Sequence, residues 1–157
     1  MSPSFPHALA WALLATAPLA LTQIQVPPQV CVTGARVPNM WSIASLSVSQ
    51  LSGLSTAATA GFSVTNLKTN ETEALSCNLQ AGYKCDIKGT PKNKALNILL
   101  QLNLVALFSL EETLACAGKT ASFWGNAEME ITCDAAATAC KGVGGPAVVN
   151  ATVEIVP

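Results

Sequence analysis

The stretch LNILLQLNLVALFSL, residues 96–110, decides the fold class because its apolar side chains recur at every second position. Successive side chains of a β-strand point to opposite faces, so this period of two predicts strand. Three apolar residues on the odd positions keep a leucine-rich helix open as an alternative, and two strands joined near Asn103 are another. The polar residues of the stretch all fall on odd positions: Asn97, Gln101, Asn103 and Ser109.

Further strand signals lie on both sides of this stretch. Ranges 41–46, 61–67, 121–133 and 146–156 combine apolar alternation with intervening turn residues. Glu111 and Glu112 are expected to form a charged corner after the leucine-rich stretch, and Gly125 is expected to bend the chain. Short strands separated by turns predict an all-β fold, either a small antiparallel β-barrel or a sandwich.

The six cysteines predict three disulfides that staple this fold. An even cysteine number in a secreted chain indicates a disulfide framework. The sequence has no Cys-x-x-Cys spacing, which a zinc knuckle or a thioredoxin-like redox site would require. Each of two close pairs spans an expected turn and is interpreted as a local disulfide; Cys31 and Cys116 then pair by elimination. A bond from Cys31 to a second subunit is the alternative. The close pairs are Cys77 with Cys85 and Cys133 with Cys140.

The N-terminal region predicts secretion. Residues 8–21 form an apolar run of the length of a signal-peptide core, too short to span a bilayer. We expect a signal peptide over residues 1–22 and one secreted β domain over residues 23–157, with no stable membrane insertion. The sequons at Asn70 and Asn150 are compatible with glycosylation on a eukaryotic secretory route.

Composition excludes several classes of function. The formal net charge is −1, so no basic field is available to gather nucleic acid. The sole histidine, His7, lies in the segment expected to be cleaved, which removes imidazole from any triad, acid/base pair or metal site. Glu128 and Glu130 alternate with apolar residues and are expected to share one outward face, unlike the two carboxylates that flank a glycosidase cleft. We therefore predict no catalytic residue, no metal and no cofactor.

Two sets of side chains are candidates for a binding surface. Lysines cluster in KCDIKGTPKNK, residues 84–94, where a basic loop could contact an anionic wall polymer or a host protein. A solvated hairpin loop is the favoured interpretation of this cluster. Trp41, Phe123 and Trp124 could form an aromatic platform for sugars. Adjacent strand residues face opposite sides, so one of Phe123 and Trp124 is expected in the core. The candidate surface therefore comprises Lys84, Lys88, Lys92, Lys94, Trp41 and Trp124.

Short sequence motifs alternate with the cysteines over residues 31–157. They are Trp41-x-Ile43, Phe62-x-Val64-x-Asn66, Leu114-x-Cys116 and Ala121-x-Phe123-x-Gly125. The order of these motifs and cysteines resembles small secreted proteins of filamentous fungi, and among named families it is most similar to the Alternaria major-allergen family. The resemblance implies a fungal, extracellular, antiparallel β-barrel, and it supplies no catalytic residue.

Three hypotheses of function follow. The first is a secreted non-enzymatic protein that acts as an effector-like or allergen-like interaction module at the host or cell-wall surface. The second is a barrel that binds a small apolar ligand, lined by the even residues of 96–110. The third, less favoured, is a secreted hydrolase that uses carboxylates, or an enzyme with a free thiol. The candidate partners are accordingly a host protein, a cell-wall polymer or a small apolar ligand.

Overall fold

The computed structural model describes residues 30–51, 58–80 and 82–156. The expected signal peptide, residues 1–22, and His7 lie outside these ranges. No helix in the described ranges has the length and hydropathy needed to cross a membrane.

Nine β-strands make up the described chain, and all their pairings are antiparallel, which confirms the all-β prediction. They are β1 (Arg36–Ser49), β2 (Thr59–Asn66), β3 (Glu71–Asn78), β4 (Lys84–Lys88), β5 (Leu96–Leu102), β6 (Val105–Cys116), β7 (Lys119–Cys133), β8 (Ala139–Gly142) and β9 (Ala147–Val156).

The strands form one sheet in the order β3-β2-β1-β8-β7-β6-β5-β4. Two short strands share the position between β1 and β7. β9 pairs with the first part of each long strand, and β8 pairs with the last part. The long strands β1 and β7 are thereby joined along most of their length. We call β1–β3 the first half of the sheet and β4–β7 the second half.

The stretch 96–110 is a hairpin of β5 and β6, so the option of two strands joined near Asn103 is confirmed and the helix is wrong. Leu102 pairs with Ala106, and three residues lie between them. An odd number of connecting residues keeps even positions on the same face of both strands, which explains why the period of two continues through the turn. The even residues face the interior, except Leu104 at the tip, which is 89% exposed.

The interior lies between the two halves of the sheet. The rings of Phe62 on β2 and Phe108 on β6 meet edge to face, with centroids 5.2 Å apart. On β1, a register shift between Ala44 and Ser47 changes which positions face inward, from Trp41 and Ile43 to Leu46 and Val48. Such a bulge bends a strand around the core. The sheet therefore encloses one apolar core in a sandwich-like or barrel-like arrangement.

Gly125 lies within β7, which stays paired with β6 through this position, and the bend expected there stays a prediction. The reason for glycine is the crossing of β9. A Cβ at residue 125 would overlap the carbonyl oxygen of Asn150 and contact Val149. Glycine therefore permits the close approach of β9 to β7.

All six cysteines lie in the described ranges and form three disulfides, in the same pairs as predicted. Cys77–Cys85 joins β3 to β4, the two strands at the ends of the sheet order. Cys31–Cys116 ties the segment before β1 to the end of β6, within one chain. Cys77–Cys85 therefore connects the first half of the sheet to the second, and Cys31–Cys116 connects the segment before β1 to the second half.

The third disulfide, Cys133–Cys140, closes the hairpin between β7 and β8. Asp134 orders the turn inside it, because its Oδ1 accepts hydrogen bonds from the N–H groups of Thr138 and Ala139 at 2.6 and 3.2 Å. Its Oδ2 accepts a bond from the Thr138 hydroxyl. The stretch CDAAATAC is therefore a cross-linked turn.

Candidate functional site: an outward groove and a buried carboxyl group

A shallow groove crosses the outward face of β4–β7. Cross-strand pairing places Lys88 beside Asn97, Asn97 beside Glu111, and Glu111 beside Trp124, so one row of side chains runs over four strands. Neighbouring strands are about 4.8 Å apart, and the row therefore extends over roughly 14 Å. A second row consists of Asp86, Leu99, Ser109 and Asn126.

The groove has a volume of about 300 Å³. This is the lower end of the range for small-molecule sites, and the groove is open along the sheet. Its two large exposed apolar side chains are Trp124, 45% exposed, and Leu99, 39% exposed. Their surroundings are amides, a hydroxyl and charged groups, so the groove has a mixed character.

Some polar groups of the groove are held in place by neighbours. The Ser122 hydroxyl donates to Glu111 Oε1 at 2.7 Å, and the N–H of Gly89 donates to Asn97 Oδ1 at 3.1 Å. This bond uses only the oxygen of the Asn97 side chain, so the two N–H donors of its amide group stay available. Lys88 Nζ lies 3.2 Å from Asp86 Oδ2, in an exposed ion pair of small energetic value.

Other polar groups of the groove have no such neighbour. Within the described residues, no hydrogen bond engages the side chains of Asn126 and Ser109, and both are exposed. Together with the second oxygen of Glu111 and the amide of Asn97, they are available to a bound molecule. The groove therefore offers both donors and acceptors beside an aromatic ring.

Trp124 is thus the aromatic residue of the candidate surface that faces solvent. Phe123 beside it is fully buried, as the alternation of a strand requires. The inclusion of Trp41 was wrong: its side chain is 0% exposed, and its Nε1 donates to Glu112 Oε2 at 3.1 Å across the interior.

The four lysines of the candidate surface lie on two different elements. Lys84 and Lys88 are exposed on β4, while Lys92 and Lys94 lie in the loop between β4 and β5. Lys92 is hydrogen-bonded to the first half of the sheet: its Nζ donates to Thr72 O at 2.8 Å, and its backbone N–H donates to Glu73 Oε1 at 2.7 Å. This lysine fixes a loop, and Lys88 belongs to the groove.

Glu112 is a carboxyl group buried inside the core. The expected charged corner is wrong, because Glu111 and Glu112 lie within β6 and face opposite sides. Glu112 is 0% exposed, and besides the bond from Trp41 its Oε1 accepts from Asn93 Nδ2 at 2.6 Å. The even periodicity of 96–110, continued by one more step, points to this inward position.

Burial raises the pKa of Glu112 above its ordinary value, and the hydrogen bonds from Asn93 and Trp41 oppose that shift. Asn93 belongs to a tightly bonded loop, since its N–H donates to Thr90 Oγ1 at 3.0 Å and its carbonyl accepts from Thr90 N at 2.8 Å. The carboxyl group therefore links β1, β6 and this loop inside the core. A sealed group of this kind is suited to structure more than to contact with a substrate.

The remaining predictions concern the two glycosylation sequons and metal binding. Asn70 lies in the turn between β2 and β3, and Asn150 lies on β9, where its Oδ1 accepts from Asn39 N at 2.9 Å. Both side chains are exposed, and their glycosylation stays a prediction. In the described ranges no group of three or more His, Cys, Asp or Glu side chains is placed to hold a metal ion.

No family model, curated protein or solved structure matches this chain.

Proposed function

We propose that the chain is a secreted, non-enzymatic protein of a fungus, acting as an effector-like or allergen-like interaction module at the host or cell-wall surface. Three disulfides are typical of extracellular proteins, where thiols are oxidised, and they support the extracellular part of this proposal. The groove on β4–β7 is the observation that carries the binding part.

The arrangement of the acidic groups supports a role in binding more than in catalysis. Glu112 is sealed in the core, Glu111 is bonded to Ser122, and Asp86 pairs with Lys88. A carboxylate pair for glycoside hydrolysis has to flank an accessible bond from two sides. The groove places its acids on one surface.

Retention on wall material tests this function. Oxidised protein is mixed with washed insoluble walls of fungal and plant origin, and the sedimented fraction is compared with that of reduced, alkylated protein. We expect the oxidised protein to sediment and the reduced protein to stay in solution, because reduction removes the bonds that tie β4, β6 and β7 to the rest of the fold and so destabilises the sheet that forms the groove. No soluble sugar or peptide should be released.

A matched pair of variants assigns the retention to the groove. Ser109→Gln fills the centre of the groove with an uncharged side chain, and Ser76→Gln adds the same side chain on the exposed outward face of β3. Retention should fall for the first variant and stay at the wild-type level for the second. Equal retention of both variants, or release of soluble product, would contradict the proposal.

A further inference from the structure

We infer that the groove on β4–β7 binds an uncharged polysaccharide chain, with Trp124 as the stacking platform. This inference rests on the proposed function and names the ligand class of the same site. Sugar rings present flat faces of C–H groups, which stack on aromatic rings, and rims of hydroxyl groups, which need donors and acceptors. The groove supplies both kinds of contact side by side.

The backbone of Trp124 is held in the sheet from both sides. Its backbone pairs with Glu111 of β6 on one side and with Thr152 of β9 on the other, so it lies in the middle of the sheet. A binding residue on a doubly paired strand keeps its place better than one on a loop. The exposed part of the indole is then available at low cost in conformational entropy.

The polar groups beside Trp124 suit hydroxyl groups. The Asn97 amide is oriented by Gly89, and the Glu111 carboxylate by Ser122, so each has a fixed free end. Asn126 and Ser109 add unengaged polar groups in the neighbouring row. Amides and carboxylates that are already oriented bind hydroxyls with a small ordering cost.

The charge and shape of the groove favour a neutral polysaccharide over an acidic polymer or a protein partner. Asp86 and Glu111 put two carboxylates against one ammonium group, Lys88, which disfavours an acidic polymer. A specific protein interface covers about 800 Å² on each partner and has a clustered apolar centre, whereas this groove exposes two separated apolar side chains. The groove is open to solvent, so a bound chain can extend beyond it.

Affinity electrophoresis of the native, oxidised protein tests the inference. The gels contain laminarin or hydroxyethyl cellulose as neutral glucans, or polygalacturonate as the acidic polymer. We expect a neutral glucan to retard the wild type, and Trp124→Ala to weaken the apparent affinity at least about tenfold, as truncation of a tryptophan anchor does. Trp124→Phe keeps an aromatic face and should fall between the two.

Leu104→Ala is the matched control, because it removes an exposed apolar side chain at the β5–β6 turn, outside the groove. It should bind as the wild type does. Retardation by polygalacturonate alone, by no polymer, or equally for wild type and Trp124→Ala would overturn the inference. Wall retention that is lost after the walls are treated with protease would also overturn it, while leaving the proposed function in place with a protein partner.

Discussion

The two halves of the sheet have very different outward faces. On β1–β3 the cross-strand rows contain small side chains that bond to one another or to the backbone, such as Ser49 with Thr59 at 2.7 Å and Thr65 with Thr72 at 2.8 Å. We call this the hydroxyl face. On β4–β7 the corresponding rows contain an indole ring, amides and charged groups, several of them without a partner among the described residues.

On the hydroxyl face the polar side chains form hydrogen bonds within the protein, whereas on β4–β7 several polar side chains remain available to a ligand. Hydroxyls that donate to neighbouring strands have less capacity left for a ligand, and their gain is cohesion between strands. The groove keeps donors and acceptors free beside Trp124 at the cost of cohesion. Binding is therefore expected on the second half of the sheet, and the first half serves as its internal control.

The inward faces of the two halves, by contrast, form a single unit. Phe62 of the first half packs on Phe108 of the second, and Trp41 donates to Glu112. The disulfide Cys77–Cys85 joins the halves as well, and Cys31–Cys116 joins the segment before β1 to the second half. Perturbing these links should change stability, whereas perturbing the outward faces should change binding.

The largest effect is expected from removing the Cys31–Cys116 link. Its sequence separation is 85, against 7 for Cys133–Cys140. In the chain-entropy model the double variant Cys31→Ala/Cys116→Ala loses about 4.6 kcal/mol of unfolding free energy, and Cys133→Ala/Cys140→Ala about 2.5 kcal/mol. Urea unfolding of both variants measures these losses. Similar losses in the two variants would contradict the expected dependence on loop length.

An intermediate effect is expected at Glu112. Glu112→Gln keeps one acceptor but turns an amide N–H₂ towards a donor, which costs about 1–3 kcal/mol at acidic pH. The folded-state pKa of Glu112 is raised by burial, so the stability that its protonated form contributes is present below the unfolded pKa and is lost as the pH rises through the folded pKa. The gap between wild type and variant should therefore narrow as the pH rises.

Urea midpoints measured across this pH window, for wild type, Glu112→Gln and the exposed control Glu128→Gln, check the direction. Asp134 contributes with the opposite sign, because the hydrogen bond from Thr138 lowers its pKa. Its contribution is common to all three proteins and cancels in the comparison. A gap that widens with pH would mean that Glu112 prefers to be ionised in the folded protein.

More of the fold than of the candidate site could be predicted from the sequence. Alternation over 96–110 identified strands, since it depends only on local side-chain direction. The disulfide pairs followed from spacing. Trp41 was misplaced because β1 contains positive-φ residues at Asn39 and Ser45 and register shifts next to them, so a local pattern does not determine which of its faces is inward. Glu112 was misplaced because charge normally indicates solvent, and that rule overrode the periodicity.

The groove itself could not be predicted, since its parts come from four strands. The alternation of strand residues predicted only that one of Phe123 and Trp124 is exposed. Asn97, Glu111 and Lys88 lie in the same row as Trp124 because of the register between the strands. Register depends on turn lengths and on the packing of the whole core. A single sequence constrains these non-local terms weakly.

The smallest effect is expected on the hydroxyl face, at the pair Thr65 and Thr72. A directly opposite Thr–Thr pair contributes about 0.2–1 kcal/mol, so a double-mutant cycle with Thr65→Val and Thr72→Val should show a coupling energy in that range. The hydroxyls bond to each other at 2.8 Å, and valine keeps the β-branched shape while removing that bond. Retention of the double variant on walls should equal that of the wild type, because the groove is unchanged. Reduced retention would mean that the hydroxyl face also binds, and the distinction between the two halves would then no longer hold.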